Sequence, residues 1–141
     1  MIKHDQILYD HGPPETHGVQ SPYADADIEY ERDTVYQDES YKLAVALLNG
    51  NIEHAKNYPA EVSDQMYGTD SVRFADHCPS VSIRENRRNE EMSQGWSPHW
   101  HQPTDNYETY AELDYEFGFD IVRMTTATIA KLVNATFLII E

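Results

Sequence analysis

Apolar residues fall at Ala44, Leu47, Leu48, Ile52 and Ala55 within the stretch "DESYKLAVALLNGNIEHAKN". That spacing puts one apolar stripe on a helix over 38–57, with Asp38 or Ser40 placed as its N-cap. Gly50 lowers helix stability by about 1 kcal/mol relative to alanine, so the pattern allows a break there. A stronger stripe runs through "YEFGFDIVRMTTATIAKLVNATFLII", where Phe117, Ile121, Met124, Thr128, Leu132 and Val133 share a face and predict a helix over 115–140. Between the helices, "CPSVSIRE" (78–85) follows a proline with alternating β-branched residues and predicts a strand, and "AEV" (60–62) a shorter one. Helices interleaved with strands around a sheet predict an α/β fold.

The front of the chain lacks such periodicity. Residues 10–36 hold Gly12, Pro13, Pro14, Gly18 and Pro22 with few aliphatics, which predicts a long loop or crossover. A loop of that length is unusual in a compact domain and points to a functional loop or to packing partners elsewhere. Along "DADIEYERD", Asp25, Asp27, Glu29, Glu31 and Asp33 alternate, and a solvated strand or loop explains this at least as well as cation binding. The expected organisation is an irregular acidic segment over 1–36 followed by a structured unit over 37–141.

Composition narrows the functions. A chain of 141 residues supports one hydrophobic core. Ten Lys plus Arg against twenty-five Asp plus Glu give a formal charge of −15, a field that repels phosphate backbones and anionic bilayers and argues against nucleic acid or membrane as partner. The single cysteine, Cys78, allows neither an internal disulfide nor a four-cysteine zinc knot. No export leader is read in "MIKHDQILYD", and no run approaches the roughly 18 apolar residues of a membrane span. The compartment stays open.

Candidate chemistry centres on "SPHWHQPTDNYETY" (97–110), where His99 and His101 are followed by Pro103 and Asp105. An imidazole that ligates zinc needs a neighbour to fix its ring, and a loop carrying His, Pro and Asp can supply ligand, rigidity and acceptor. His-x-His by itself is equally compatible with a loop that binds no metal. His4, His11, His17 and His54 lie in polar or amphipathic segments and are expected to be ordinary titrating side chains.

The order of several motifs adds to this. Thr69, Asp70 and Ser71, then Phe74, then Cys78, Pro79, Ser80 and Val81, then Trp100, His101 and Asp105, and finally a long amphipathic helix resemble a series found in one enzyme family. The series is Ser-Asp-His, an aromatic, a Gly-x-Pro-Ala strand, Tyr-His-Thr-x-x-Asp and a terminal helix. It belongs to the zinc-dependent exopeptidases of peptidase family M twenty-eight, which include bacterial leucyl aminopeptidases and glutamate carboxypeptidase-like enzymes. The resemblance spans about residues 37–134, the C-terminal half of such a domain, and Met1-Ile2-Lys3-His4-Asp5 looks like the end of the family's Asn-x-Asp-Met-Ile-Gly-Tyr segment.

The resemblance implies a partial zinc-exopeptidase-like fold, a few strands of a mixed sheet with two main helices. It also implies peptide-bond hydrolysis by a metal-bound hydroxide at two zinc ions, with peptide as substrate. Of the family's ligands only the last histidine has a counterpart here, His101. Ser71 departs from the usual histidine, and Glu90-Glu91 falls on the wrong side of the motif order to be the family's glutamate pair, which leaves it a solvated loop. Tyr67 lies one residue from where some members place an oxyanion-stabilising tyrosine, and is a candidate substrate contact. Asp70, Asp105 and His99 are candidate supports of the metal loop. Two functions from different classes follow: the C-terminal portion of a metallo-exopeptidase, or a non-catalytic fragment or pseudoenzyme keeping a binding or structural role. With one mapped ligand the chain alone is not expected to hold zinc tightly, and a cut sheet is expected to self-associate through its exposed edge.

Overall fold

The computed structural model describes residues 1–10, 24–85 and 97–134. The elements are β1 (Ile2–His4), β2 (Ala26–Tyr30), α1 (Gln37–His54), β3 (Ala60–Ser63), β4 (Val81–Arg84) and α2 (Glu112–Leu132), with one turn of 3-10 helix at Asp70–Phe74. The strands form a mixed four-stranded sheet in the order β1-β4-β2-β3. β1 runs parallel to β4 and β2 parallel to β3, while β2 and β4 are antiparallel. With its two helices this is an α/β architecture, and among the described residues no helix is long and apolar enough to cross a membrane.

Alternation along the strands sends Ala26 and Ile28 of β2 and Val81 and Ile83 of β4 to one face, where they pack with Leu47 of α1 and Phe117, Ile121 and Met124 of α2. This is the apolar core; it uses Ala44, Leu47 and Ala55 of the first stripe, whereas Ile52 is exposed, and Phe117, Ile121 and Met124 of the second. Asn51 ties the end of α1 to β3, its amide donating to the Tyr58 carbonyl (2.8 Å) while its Oδ1 accepts from the Ala60 N–H (3.0 Å).

Three local expectations are corrected. α1 passes through Gly50 without a break and starts at Gln37, with Tyr36 rather than Asp38 or Ser40 as its cap residue. A Cβ at Gly50 would stand 2.1 Å from Thr128 Oγ1 and 3.1 Å from the Met124 carbonyl oxygen, so this glycine lets α2 approach α1 instead of interrupting it. α2 starts earlier than expected and its buried face ends at Thr128; Leu132 and Val133 are exposed. The remainder of that predicted helix, from residue 135, lies outside the described residues, as do His11, His17 and Glu90-Glu91.

The largest correction concerns the acidic alternation. Residues 26–30 are not a solvated strand or loop but an inner strand of the sheet, and Asp25, Asp27 and Glu29 are buried with Arg84 and Ser82 on the face away from the helices. β1 likewise belongs to this sheet, so residues 1–36 are not uniformly irregular. Asp27 and Arg84 are register partners across β2 and β4, both buried, and Asp27 Oδ2 accepts the Ser63 hydroxyl (2.8 Å). The 64–80 connection reaches this side: Lys3 Nζ donates to Thr69 Oγ1 (2.7 Å) and lies 3.1 Å from Asp70 Oδ2.

Candidate functional site

Because β1 and β4 are parallel, both reach their carboxyl ends at the same edge of the sheet. Ligands of α/β proteins gather at such edges, where chains leave the strands and backbone groups are free to diverge. Here the chain leaving β1, from Asp5 to Tyr9, and Glu85 at the end of β4 meet the loop over 97–110 around a cleft of about 340 Å³. The other lining residues are Ser97, Trp100, His101, Asp105 and Tyr110. Its volume lies at the small end of the range typical for ligand sites.

The floor is set by helix packing. At Gly118 of α2 an added Cβ would lie 2.8 Å from the Ile7 carbonyl oxygen and 2.7 Å from Leu8 Cδ2, so the absence of a side chain lets residues 7 and 8 rest on the helix. Asp114, in the first turn of α2, accepts from the Asp10 N–H on one oxygen and the Ala111 N–H on the other, both at 2.6 Å. This anchors the far end of the β1 exit segment. At its near end Arg84 donates to the Gln6 amide oxygen, and Lys3 and the Thr69 hydroxyl hold Asp5, at 3.5 and 3.0 Å.

The walls are aromatic. His99 lies edge-on between Tyr9 and Tyr110, with ring centroids 6.2 and 5.8 Å away, and its Nδ1 is 3.1 Å from Thr104 Oγ1. The Trp100 and His101 rings stack at 4.0 Å and 17°. Tyr110 donates to Asp105 Oδ1 (2.5 Å); burial, then that carboxylate, pushes the phenol up to about 12, so it remains a proton donor at neutral pH. Gln6 and His101 both have left-handed backbone (φ 55° and 56°), a conformation costly for residues with a Cβ.

Negative charge collects behind the cleft. Asp25 is buried at the start of β2 and its carboxyl is raised to about 7, by burial first and then by Asp10 and Glu85. Tyr9 is raised by burial, then by Asp114 and Glu85. His4, half-buried, is lowered by burial. Thr125 uses its hydroxyl proton on the Ile121 carbonyl (2.9 Å), so His4 Nε2 is the donor in its 2.9 Å contact with Thr125.

Comparison with known protein families, with characterised proteins and with solved structures returns no match. The site therefore stands on its own geometry.

Of the residues singled out from sequence, His101 and Asp105 line the cleft, and His99 supports its aromatic wall. Tyr67 and Asp70 are exposed and are not among the described lining residues; Asp70 pairs with Lys3, which also pairs with Asp5. Gln6, Tyr9, Glu85 and Tyr110 were not singled out by the sequence. The one available signal was the position of Glu85 at the end of the predicted strand. A zinc site does not follow from the described residues, because among them no group of three or more His, Cys, Asp or Glu converges as metal ligands. What they form is a cleft with an apolar floor, aromatic walls and a polar rim.

Proposed function

We propose that the chain is the C-terminal portion of a zinc-dependent exopeptidase-like domain, in which this cleft forms one wall of a peptide-binding site. The supporting observation is the placement of His101, the one side chain that matches the family's ligand set, in a cleft at the carboxyl ends of the parallel strands β1 and β4. The mixed sheet with two helices accords with the partial fold the resemblance implies. In the complete site zinc would polarise the scissile carbonyl. This chain would hold the peptide against Ile7 and Leu8 and between the aromatic rings, and would offer one imidazole. The other ligands would come from outside the described residues.

Zinc titration by calorimetry, with imidazole resonances followed by NMR, tests this reading. The expected result is weak binding that moves the His101 signals and is lost in His101→Ala. Zinc that moves only His4 or His54, or that binds equally to the variant, contradicts the reading and favours the alternative: a non-catalytic fragment or pseudoenzyme with a binding or structural role.

A further inference from the structure

We propose that the outer edge of β1 and the exposed side of α2 form one surface that docks a second copy of this chain about a two-fold axis, joining two sheets into one. This does not depend on the peptide reading of the cleft. Among the described residues β1 closes the sheet at one end. The Asp5 N–H donates to the Ile83 carbonyl (2.8 Å) and the Val81 N–H to the Met1 carbonyl (3.0 Å), so the odd-numbered residues along β1 bond to β4. Alternation then turns the N–H and C=O groups of Ile2 and His4 outward, a template for a further strand.

α2 carries its unburied apolar residues on the same side. Its Thr125 contacts His4 and its Gly118 meets Ile7, whereas Met124 and Thr128 face Gly50 of α1. Beyond Thr125 and Gly118 around the helix come Phe119, Val122, Thr126, Ile129 and Val133, all exposed and alternately three and four residues apart. That is the spacing with which two helices pack side by side. A two-fold axis normal to the sheet brings an antiparallel copy of α2 together with an antiparallel copy of β1.

Charge selects the register. Pairing His4 with the partner's His4 sets Lys3 of each copy opposite Asp5 of the other, while centring the pair on Lys3 would set two lysines face to face. Lys3 and Asp5 already lie 3.5 Å apart within the chain, so the contact joins two ion pairs into a cluster of four alternating charges. An axis through His4 passes beside Thr125, 2.9 Å from its Nε2, and places Val122 and Ile129 on either side of it in both copies.

Sedimentation equilibrium of the full chain at rising concentration, with hydrogen exchange of the Ile2 and His4 amides followed by NMR, tests the proposal. Each copy carries −15, so the measurement is made at physiological ionic strength, where that repulsion is screened beyond roughly 8 Å. The expected result is a monomer–dimer equilibrium in which the two amides exchange more slowly as concentration rises. Val122→Lys and Ile129→Lys sit at exposed positions and lower the net charge, so they neither empty the core nor add repulsion between copies. Each is expected to weaken the dimer about tenfold or more, since every substitution enters twice across the axis. A monomer at every concentration overturns the proposal. So does a dimer that both folded variants leave intact, or one that forms while the Ile2 and His4 amides exchange as in the monomer. Protection of those amides that is independent of concentration would mean that the chain covers its own edge, and overturns it as well.

Discussion

Gln6 and His101 are far apart in sequence, yet both adopt left-handed backbone and both line one cleft. For a residue with a Cβ that conformation costs about 1–2 kcal/mol, and such outliers persist where surrounding contacts impose them. At Gln6 the contact is Arg84, which holds the side-chain amide. His101→Gly removes the local penalty but adds backbone freedom to the unfolded state, so stability by urea denaturation is expected to stay within about 1 kcal/mol of the parent. The zinc response carried by the residue 101 imidazole should disappear. A large destabilisation would instead assign His101 a packing role.

Gly118 is expected to tolerate no side chain without moving the cleft. The Cβ of Gly118→Ala would press on the Ile7 carbonyl, a backbone atom that cannot rotate away, at a cost of about 1–3 kcal/mol, and the amides of residues 6–9 should shift in NMR spectra. Gly50→Ala should destabilise without moving those amides, because its conflict is with Thr128 and Met124. Adding Thr128→Ala to Gly50→Ala should recover part of the loss in a double-mutant cycle, since it removes the hydroxyl in conflict.

The buried charges of the second sheet face give a sharper stability test. Arg84→Met removes a buried cation from the face that carries Asp27 and Glu29 and frees Gln6, at an expected cost of about 3 kcal/mol by denaturant unfolding. Arg84→Met with Asp27→Leu should recover much of that, because the uncompensated carboxylate is gone. Equal losses in the single and double variants would show that the Asp27 charge is not what Arg84 balances.

Two groups set opposing pH dependences. Asp25 ionises near 3.8 in the unfolded chain and at about 7 in the fold, so between those values the folded form holds the extra proton. Its contribution therefore favours the fold most below 3.8 and declines as pH rises toward about 7. His4 is lowered from 6.5, so the unfolded chain takes the extra proton and stability falls as pH drops below 6.5. Asp25→Asn should flatten the decline between pH 3.8 and about 7 and raise stability above it. His4→Gln should remove the loss below 6.5. Urea midpoints across this pH series measure both.

The helices and β4 were legible because their apolar residues repeat at the period of the element and face the core. β2 was not, since sequence reasoning equates alternating charge with solvent, whereas Asp27 and Glu29 turn to a second buried face that carries Arg84. Gly50 misled for a related reason: helix propensity registers its flexibility but not the approach of Thr128, which is remote in sequence. At the site, His101 and Asp105 were legible from their local spacing. Gln6 and Tyr9 sit in a segment without periodicity, and only the parallel pairing of β1 with β4 brings them to the 97–110 loop.

Backbone-amide shift mapping of the isotopically labelled chain during titration with short mixed-sequence peptides tests whether the cleft is a peptide site. A peptide site at the carboxyl ends of β1 and β4 should concentrate the shifts at Gln6, Ile7, Leu8, Tyr9, Glu85, Trp100, His101 and Tyr110. Saturable shifts on the exposed side of α2, around Phe119 and Ile129, with the cleft unmoved would contradict it.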